Sequence, residues 1–367
     1  MGYYRLYQYN DTYIMCSCVS RFSFIDPIYH FANDISIDRV ILEILKTPEF
    51  IRLKGIKQAG ITGLFTVRTY DRAEHSFGVY LLLKYLGATL EQCIGGLLHD
   101  IYHTNFSHTT DELFCGENQE SFHEKNKYIF FNKCCQNITD ILHEYYPDKD
   151  IKYFLEGDNL LITKNKSFGA DMLDYFLRDG YYEGVIEKEW INKIISKIKI
   201  ENNQIVIEDI DLAKEFFKKT IYINDKFYMS PFSRGQYKIF MNILKLAIDN
   251  NIITVDEIVY GYSDDKDIYN KIKHNATSQM QELINLLETT KKYAFFNKSQ
   301  QMKKTNTKVT RKLRFLNPLC LKMNERQPKR ISDIAVDISA ILKEKNKQYA
   351  HQEELYLRTS STICSKI

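Results

Sequence analysis

The spacing of apolar positions along the chain is mostly helical. Ile37, Val40, Ile41, Ile44 and Leu45 recur at intervals of three and four, which predicts an amphipathic helix beginning near Ser36. Pro48 suits the first turn of a second helix running to about Gln58, and Gly60 and Gly63 mark the turn after it. Helical spacing returns from Asp71 to about Leu86 and from Glu91 to Ile101, the latter ending in His99-Asp100. Residues 119–134, 137–145, 168–180, 210–219, 231–249, 275–290 and 331–344 also read as helices. Strand-like alternation occurs at 196–200 and 205–208, with Asn202-Asn203 between them as a hairpin turn. Residues 1–23 have no clear period and read as an arm with a short strand, and 311–321 read as a strand. There is no internal repeat. The pattern predicts a mainly α protein with a small β-hairpin and a mixed α/β C-terminal appendage, as one helical body.

Composition adds limits. The 367 residues are 44% hydrophobic and 26% charged, enough to bury a large core and unlike a disordered chain. No run of 18 apolar residues occurs, and the best candidate, Phe77 to Leu90, is interrupted by Lys84, so no membrane span is expected. No signal-peptide order is seen at the start, and Leu6 breaks the myristoylation pattern that Met1-Gly2 opens. The eight cysteines show no C-x-x-C pair, and reduced thiols in the cytoplasm, or the nucleus of a eukaryote, are expected. The net charge of +3 gives no sign of a polyanionic partner by itself. It averages a segment, 301–330, carrying ten Lys and Arg against Glu325, and a remainder that is net acidic. Lys308, Arg311, Lys312 and Arg314 alternate there with apolar residues, and nucleic-acid binding is one reading of that segment. A solvated face or a contact to the acidic body is the other.

The histidines are uneven as well. Six of nine, His75, His99, His103, His108, His123 and His143, lie within 69 residues. Imidazole and carboxylate together suit Zn, Fe, Mn or Mg. His75 lies one helix before His99-Asp100; His103, His108, Asp111 and His123-Glu124 follow, and then a helix with Asp171, Asp174 and Asp179. Separated ligands on several helices are how bundle proteins build metal sites.

The order His75, His99-Asp100, Asp171 resembles the HD-domain phosphohydrolases. The likeness is narrower than that superfamily. Asp71-Arg72-Ala73-Glu74-His75-Ser76-Phe77-Gly78-Val79 is similar to N-R-F-E-H-S-L-G-V of the deoxynucleoside triphosphate (dNTP) triphosphohydrolases. His99 to His108 is similar to their H-D-x-x-H-x-P-F-S-H, Phe122-His123-Glu124 to the H-E that follows, and Asp171 to Asp179 to D-x-x-D-Y-x-x-R-D. Asp26-Pro27-Ile28 and Thr47 to Gln58 resemble the upstream D-P-I and T-P-x-F-x-R-L…K-Q segments. The resemblance covers about residues 22–250. It implies an arm over 1–22, an HD-domain catalytic core over 23–250, and a C-terminal helical and mixed region over 251–367.

The resemblance also implies a reaction: dNTP hydrolysis to deoxynucleoside and inorganic triphosphate, with a divalent metal (Fe, Mn, Mg or Zn) held by His75, His99, Asp100 and Asp171. His108 is the expected group at the scissile bond, as general acid or as nucleophile. Glu124 is expected to orient it and raise its basicity, with Asp111 as a second partner. Arg72, one turn before His75, and Arg234 are expected at the phosphates, and His103 and His123 at phosphate or in support. Tyr175, Asp179 and Gln58 are expected at the sugar. Three positions depart from the family: Met172 where a lysine often stands, Ala59 in place of a bulky leucine, and Lys46 in place of an acid that reads an allosteric guanine. Another nucleotide phosphoester (monophosphate, cyclic or alarmone nucleotide, or nucleic-acid end) therefore remains the alternative substrate, and a nucleic-acid-binding protein with secondary catalysis a third reading. The family also implies a homo-oligomer.

Overall fold

The computed structural model describes residues 5–9, 12–16, 22–24, 26–66, 69–115, 121–156, 168–289, 294–296, 313–321, 327–350 and 356–358. Three short antiparallel strands open the chain, β1 (Arg5–Tyr9), β2 (Thr12–Cys16) and β3 (Phe22–Phe24), where one strand was expected. Helices α1 (Arg39–Ile44) and α2 (Pro48–Arg52) follow. The second is shorter than predicted: a tight turn, Leu53–Gly55, replaces its last part. Then come α3 (Arg72–Tyr85), α4 (Leu90–Leu98), α5 (His108–Cys115), α6 (Phe122–Cys134), α7 (Gln136–Tyr145) and α8 (Ile151–Glu156). Next are α9 (Ala170–Tyr182) and α10 (Lys188–Ile195), and after them the predicted hairpin, β4 (Ile198–Glu201) and β5 (Gln204–Ile207). Asn202 and Asn203 both have positive φ, 51° and 57°, as the two-residue turn requires. Helices α11 (Ile210–Ile223), α12 (Pro231–Asp249), α13 (Val255–Tyr260), α14 (Asp265–His274) and α15 (Ser278–Thr289) complete the helical body.

The C-terminal part adds β6 (Ala294–Phe296), β7 (Leu319–Cys320), β8 (Lys329–Arg330), α16 (Ile331–Ile334), α17 (Val336–Ala350) and β9 (Tyr356–Arg358). The strand expected over 311–321 is only β7, and the helix expected over 331–344 breaks at Ala335, whose backbone is extended. β7 joins the hairpin edge in parallel, Ile207 opposite Cys320, and β8 pairs antiparallel to it, giving a four-stranded sheet. The fold is mainly α with this small sheet.

Helix α3 is central. Arg72 to Leu83 are all buried, and it packs on α4 and α9. A helix enclosed on every side shows little amphipathic contrast. Its start is fixed by Asp71, whose side chain accepts the Glu74 N–H at 2.9 Å. One apolar cluster runs from Ile28 through α3, α4, α9 and α11 to Leu316, Cys320, Ile331 and Ile338. A second unites Ile61 and Phe106 with α12, α14 and α15. The turn between α4 and α5 lies where the two clusters meet. No helix among the described residues is long and apolar enough to cross a membrane.

Candidate metal and active site

His75 enters the site from the first turns of α3, and His99 caps the C-terminus of α4. Outside partners settle both tautomers. His75 Nδ1 faces Asp174 Oδ2 at 2.7 Å and His99 Nδ1 faces the Gly96 carbonyl at 2.8 Å, so each Nδ1 carries the hydrogen and donates it. Both Nε2 lone pairs then point inward, 3.2 Å apart. Asp171 Oδ1, from the start of α9, lies 3.1 Å from His75 Nε2 and 3.5 Å from His99 Nε2. An ion with bonds of about 2.1 Å holds its ligand atoms roughly 3.0–3.4 Å apart. The donor set and its spacing therefore fit a divalent metal. Asp100 Oδ1 is 3.6 Å from His99 Nε2 and Asp100 Oδ2 4.0 Å from His75 Nε2, but Oδ2 also accepts a short hydrogen bond from Arg72 Nη1. So three of the four expected ligands converge directly, and the fourth stands beside them, tied to an arginine.

The charges at this end reinforce each other. Burial works against the Asp171 carboxylate, yet hydrogen bonds to His75 and His99 hold it well below the usual carboxylate range. Burial likewise opposes Asp100, and the charges of Arg72, His99 and His75 bring it down to about 2. Burial alone would lower the His75 pKa. Hydrogen bonds to Asp171 and Asp174 and the charges of Asp174 and Asp100 outweigh it and push it up to about 10. In the metal-free site a proton on His75 thus takes the place that a cation would fill.

A buried ion-pair network supports this end, and sequence reasoning assigned it no role. Arg178 is fully buried and donates to Asp26 (3.2 Å), Glu74 (2.8 Å) and Asp174 (3.0 and 3.1 Å). Asp174 also accepts from Tyr29 Oη at 2.8 Å, so the carboxylate that orients His75 is held from both sides. Gly78 allows the approach: a Cβ there would collide with the Arg178 guanidinium. The sequence signal was available in Asp174 and Arg178, which lie three and seven residues after Asp171 on one face of a helix.

His103 lies on the turn between α4 and α5, His108 opens α5, and His123 lies in the first turn of α6. Phe106 and Ser107 adopt the left-handed conformation, φ 58° and 50°, which is costly for a bulky side chain. Buried Asp265 holds the turn by accepting the Phe106 N–H and the Asn105 amide, both at 2.9 Å. Asn105 occupies the proline position of the resembled motif and fixes the turn through its side chain instead. Arg52 supports the same turn: it donates to the carbonyls of His103 (2.8 Å) and Gly261 (2.7 Å).

On this turn, His103 stacks on His123 with ring centroids 3.7 Å apart, and His108 stands edge-on to His103 at 5.5 Å. Asp111 joins the group, facing His108 Nδ1 at 3.1 Å and His123 Nδ1 at 2.8 Å. Two expectations are corrected. Glu124 does not orient His108; it accepts from Tyr102 Oη at 3.0 Å and lies 3.7 Å from Lys127, while Asp111 holds the histidine. Nor is His108 made more basic: burial and the charge of Arg314 lower its pKa to about 4, with Asp111 opposing. It is neutral at pH 7. His103, Asp111 and His123 also bring potential ligand atoms within 4.8 Å of one another. But His108 and His123 turn their Nδ1 atoms to Asp111, so this set holds hydrogens between its members and suits proton handling.

The expected substrate contacts divide. Arg72 gives Nη1 to Asp100 and Nε to Ser107 Oγ (2.9 Å), and its buried Nη2 has no partner. His103 Nδ1 and Gln58 Oε1 are buried and unpartnered too. Orphaned polar atoms of this kind call for a ligand. Tyr175 faces the His75 ring with centroids 6.4 Å apart. Asp179 accepts from Tyr70 Oη (2.7 Å) and from Tyr228 Oη, and burial raises its pKa. Arg234 is corrected: both Nη atoms bind Glu112, at 2.8 and 2.9 Å, which commits it to a carboxylate. Of the basic segment, 301–312 and 322–326, with Lys308, Arg311 and Lys312, lie outside the described residues; Arg314 lies within them.

Residues 72–133 match the family described as HD domain. The chain is 33% identical over 261 residues to the uncharacterised protein YdhJ of Bacillus subtilis, covering 68% of this chain and 75% of that protein. It is 25% identical over 271 residues to the metal-dependent phosphohydrolase cns2 of Cordyceps militaris, covering 72% and 76%. A homolog of the deoxynucleoside triphosphate triphosphohydrolase SAMHD1 in Dictyostelium discoideum is 26% identical over 226 residues, 53% of this chain and 42% of that protein. Among solved structures, a phosphohydrolase from Bacteroides thetaiotaomicron has the same fold, with TM-score 0.61 at 17% identity over 89% of this chain and 97% of that one.

Proposed function

This chain belongs to the HD-domain phosphohydrolases, and from that premise we propose that it hydrolyses dNTPs to deoxynucleoside and inorganic triphosphate. The observation that carries the proposal is a metal-ligand cluster linked through His103, 3.8 Å from Asp100, to a neutral histidine held by a carboxylate, His108 on Asp111. The sugar-side pair Tyr175 and Asp179 projects from the same helix as Asp171. The SAMHD1 homolog supports the substrate class.

His75, His99, Asp171 and Asp100 would hold a divalent metal, which would supply Lewis-acid polarisation of the phosphoryl group and a more acidic water. The chain's own residues do the rest. Arg72 Nη2 is the free donor beside those ligands and takes a phosphate oxygen. Asp111 pins His108 Nδ1 and so presents Nε2 to the substrate. His108 is neutral in the free protein because burial and nearby cations disfavour its charge. Bound phosphate reverses that balance, so His108 gains a proton with substrate and delivers it to the departing 5′-oxygen. Water adds to the α-phosphorus as the bond to that oxygen breaks, and the proton that the water sheds leaves to solvent with the inorganic triphosphate. Asp179, fixed by two tyrosines, and Gln58 Oε1 are the acceptors offered to the sugar hydroxyl.

Incubating metal-loaded protein with each of the four dNTPs and identifying the phosphate product tests this. Inorganic triphosphate is the expected product. Orthophosphate or pyrophosphate, or no turnover with or without nucleotide activators, overturns it. Met172 in place of a cationic residue beside Asp171 favours a second reading, in which the substrate is a phosphoester with fewer charges; orthophosphate release from a nucleoside monophosphate would mark it. We also propose a homo-oligomer, to be read from native mass with and without dNTP.

A further inference from the structure

The arginines near the cleft differ in what holds them. Arg178 and Arg234 are bound to carboxylates, Arg52 to backbone carbonyls, and Arg72 to Asp100 and Ser107 with one arm left. Arg314 has no carboxylate partner among the described residues. Its position is nevertheless fixed. The Arg314 N–H donates to Asn224 Oδ1 at 2.9 Å and the Leu316 N–H to Thr220 Oγ1 at 3.2 Å. The Phe315 ring packs edge-on against Phe217, centroids 5.7 Å apart.

These contacts lay the segment along the end of α11, where the chain turns towards Tyr228. Helix α17 locks that turn. Asn224 donates to Tyr349 Oη at 2.8 Å, and Asp225 takes Lys345 at 2.6 Å together with a short bond from Tyr349. The anchor at Asn224 sets Arg314 beside the turn Asn224–Tyr228, and the Tyr228 hydroxyl reaches Asp179 while its ring lies 6.5 Å from that of Tyr175. The charge of Arg314 acts on Tyr175, Tyr228, Tyr237 and His108. Arg72 acts on His108 and Tyr237 as well. Two cations from remote parts of the chain thus act on His108, one bonded to Asp100 and one anchored beside the turn that ends in Tyr228. A single phosphate at the metal ligands is served by Arg72. A second, uncommitted cation set towards the tyrosines suits a longer anion.

We propose that Arg314 is a substrate-binding residue that grips the phosphates beyond the scissile phosphoester, so that the site prefers a triphosphate chain to a lone phosphate. This rests on the phosphohydrolase reading above and names the part of the chain that recognises polyphosphate.

Binding of inorganic tripolyphosphate and of orthophosphate to the metal-loaded protein, by titration calorimetry, tests it in the wild type, Arg314→Gln and Arg314→Lys. The Gln variant is expected to lose roughly tenfold to a hundredfold in affinity for tripolyphosphate, the usual cost of a charged hydrogen-bonding arm, and less than about threefold for orthophosphate. Lys keeps the charge without the planar fork and is expected to fall between the two. Unchanged tripolyphosphate affinity in Arg314→Gln, or equal loss for both anions, overturns the proposal. Unfolding midpoints of the variants report folding; should the Gln variant fail to fold, the ratio of the two affinities in Arg314→Lys decides, an unchanged ratio counting against. Absence of triphosphate release from every dNTP by the wild type would instead overturn the dNTP reading, whatever Arg314 does.

Discussion

The two ends of the cleft are built on opposite principles. At the metal end, His75, Asp174, Arg178, Asp26 and Glu74 form a buried network in which each charge meets a counter-charge or a hydrogen-bond donor. At the other end, His103 Nδ1 is buried without a partner and His108 keeps 34% of its side chain exposed, while Arg72, tied to Asp100 between the two ends, leaves Nη2 without a partner. The first end is complete before any substrate arrives. The second is completed by the substrate. Ligands that must hold an ion need their geometry settled in advance, whereas groups that bind an anion must keep donors free for it.

Perturbing either end should separate these roles, beginning with the largest effect. Arg178→Ala leaves Asp26, Glu74 and Asp174 buried around a missing cation. Loss of about 3–5 kcal/mol in urea unfolding is expected, as for any buried ion network stripped of one partner; a loss under about 1 kcal/mol would mean that the network is not what sustains this end. Asp111→Asn should leave folding and metal content intact and lower kcat by roughly 10²–10⁴, the usual share of positioned proton transfer. A matching loss of bound metal would merge the two ends.

Asp174→Asn should weaken metal affinity by about 10- to 100-fold through His75 alone, measured by competition with a chelator. The pH dependence is the next lever. His108 has a folded pKa near 4, below its unfolded value, so the unfolded chain binds more protons between the two. Stability of the metal-free protein should therefore fall as pH drops through about 6.5 towards 4. His108→Gln should flatten that part of the profile, and an unchanged profile would place the titration elsewhere. The smallest effect is expected from Glu124→Gln, at most about threefold in kcat, since Tyr102 and Lys127 are its neighbours. A hundredfold loss would return Glu124 to the proton step.

How far the site could be read along the chain depended on whether a partner was local. His75, His99 and Asp171 were legible because each lies in a motif whose helix position can be inferred, and His99-Asp100 sits where α4 ends. Arg234 was misread because its commitment to Glu112 spans 122 residues. Glu124 was misassigned for a different reason: both carboxylates are near in sequence, and Asp111, three residues after His108, faces the Nδ1 atoms of His108 and His123, while Glu124 turns to Tyr102. The sign of the His108 shift was missed because a neighbouring carboxylate is visible in sequence, while burial is not.

The sequence by itself determined the helical periods, the Asn202-Asn203 hairpin, and the identity of the residues able to hold a metal, because spacing and side-chain chemistry are local properties. Only the tertiary structure decided which cations remain free. That is a matter of which carboxylates reach them. It also anchored Arg314 from the basic C-terminal segment at the end of α11: the partners Thr220 and Asn224 lie about 90 residues away in the chain, and no periodicity records a contact of that range.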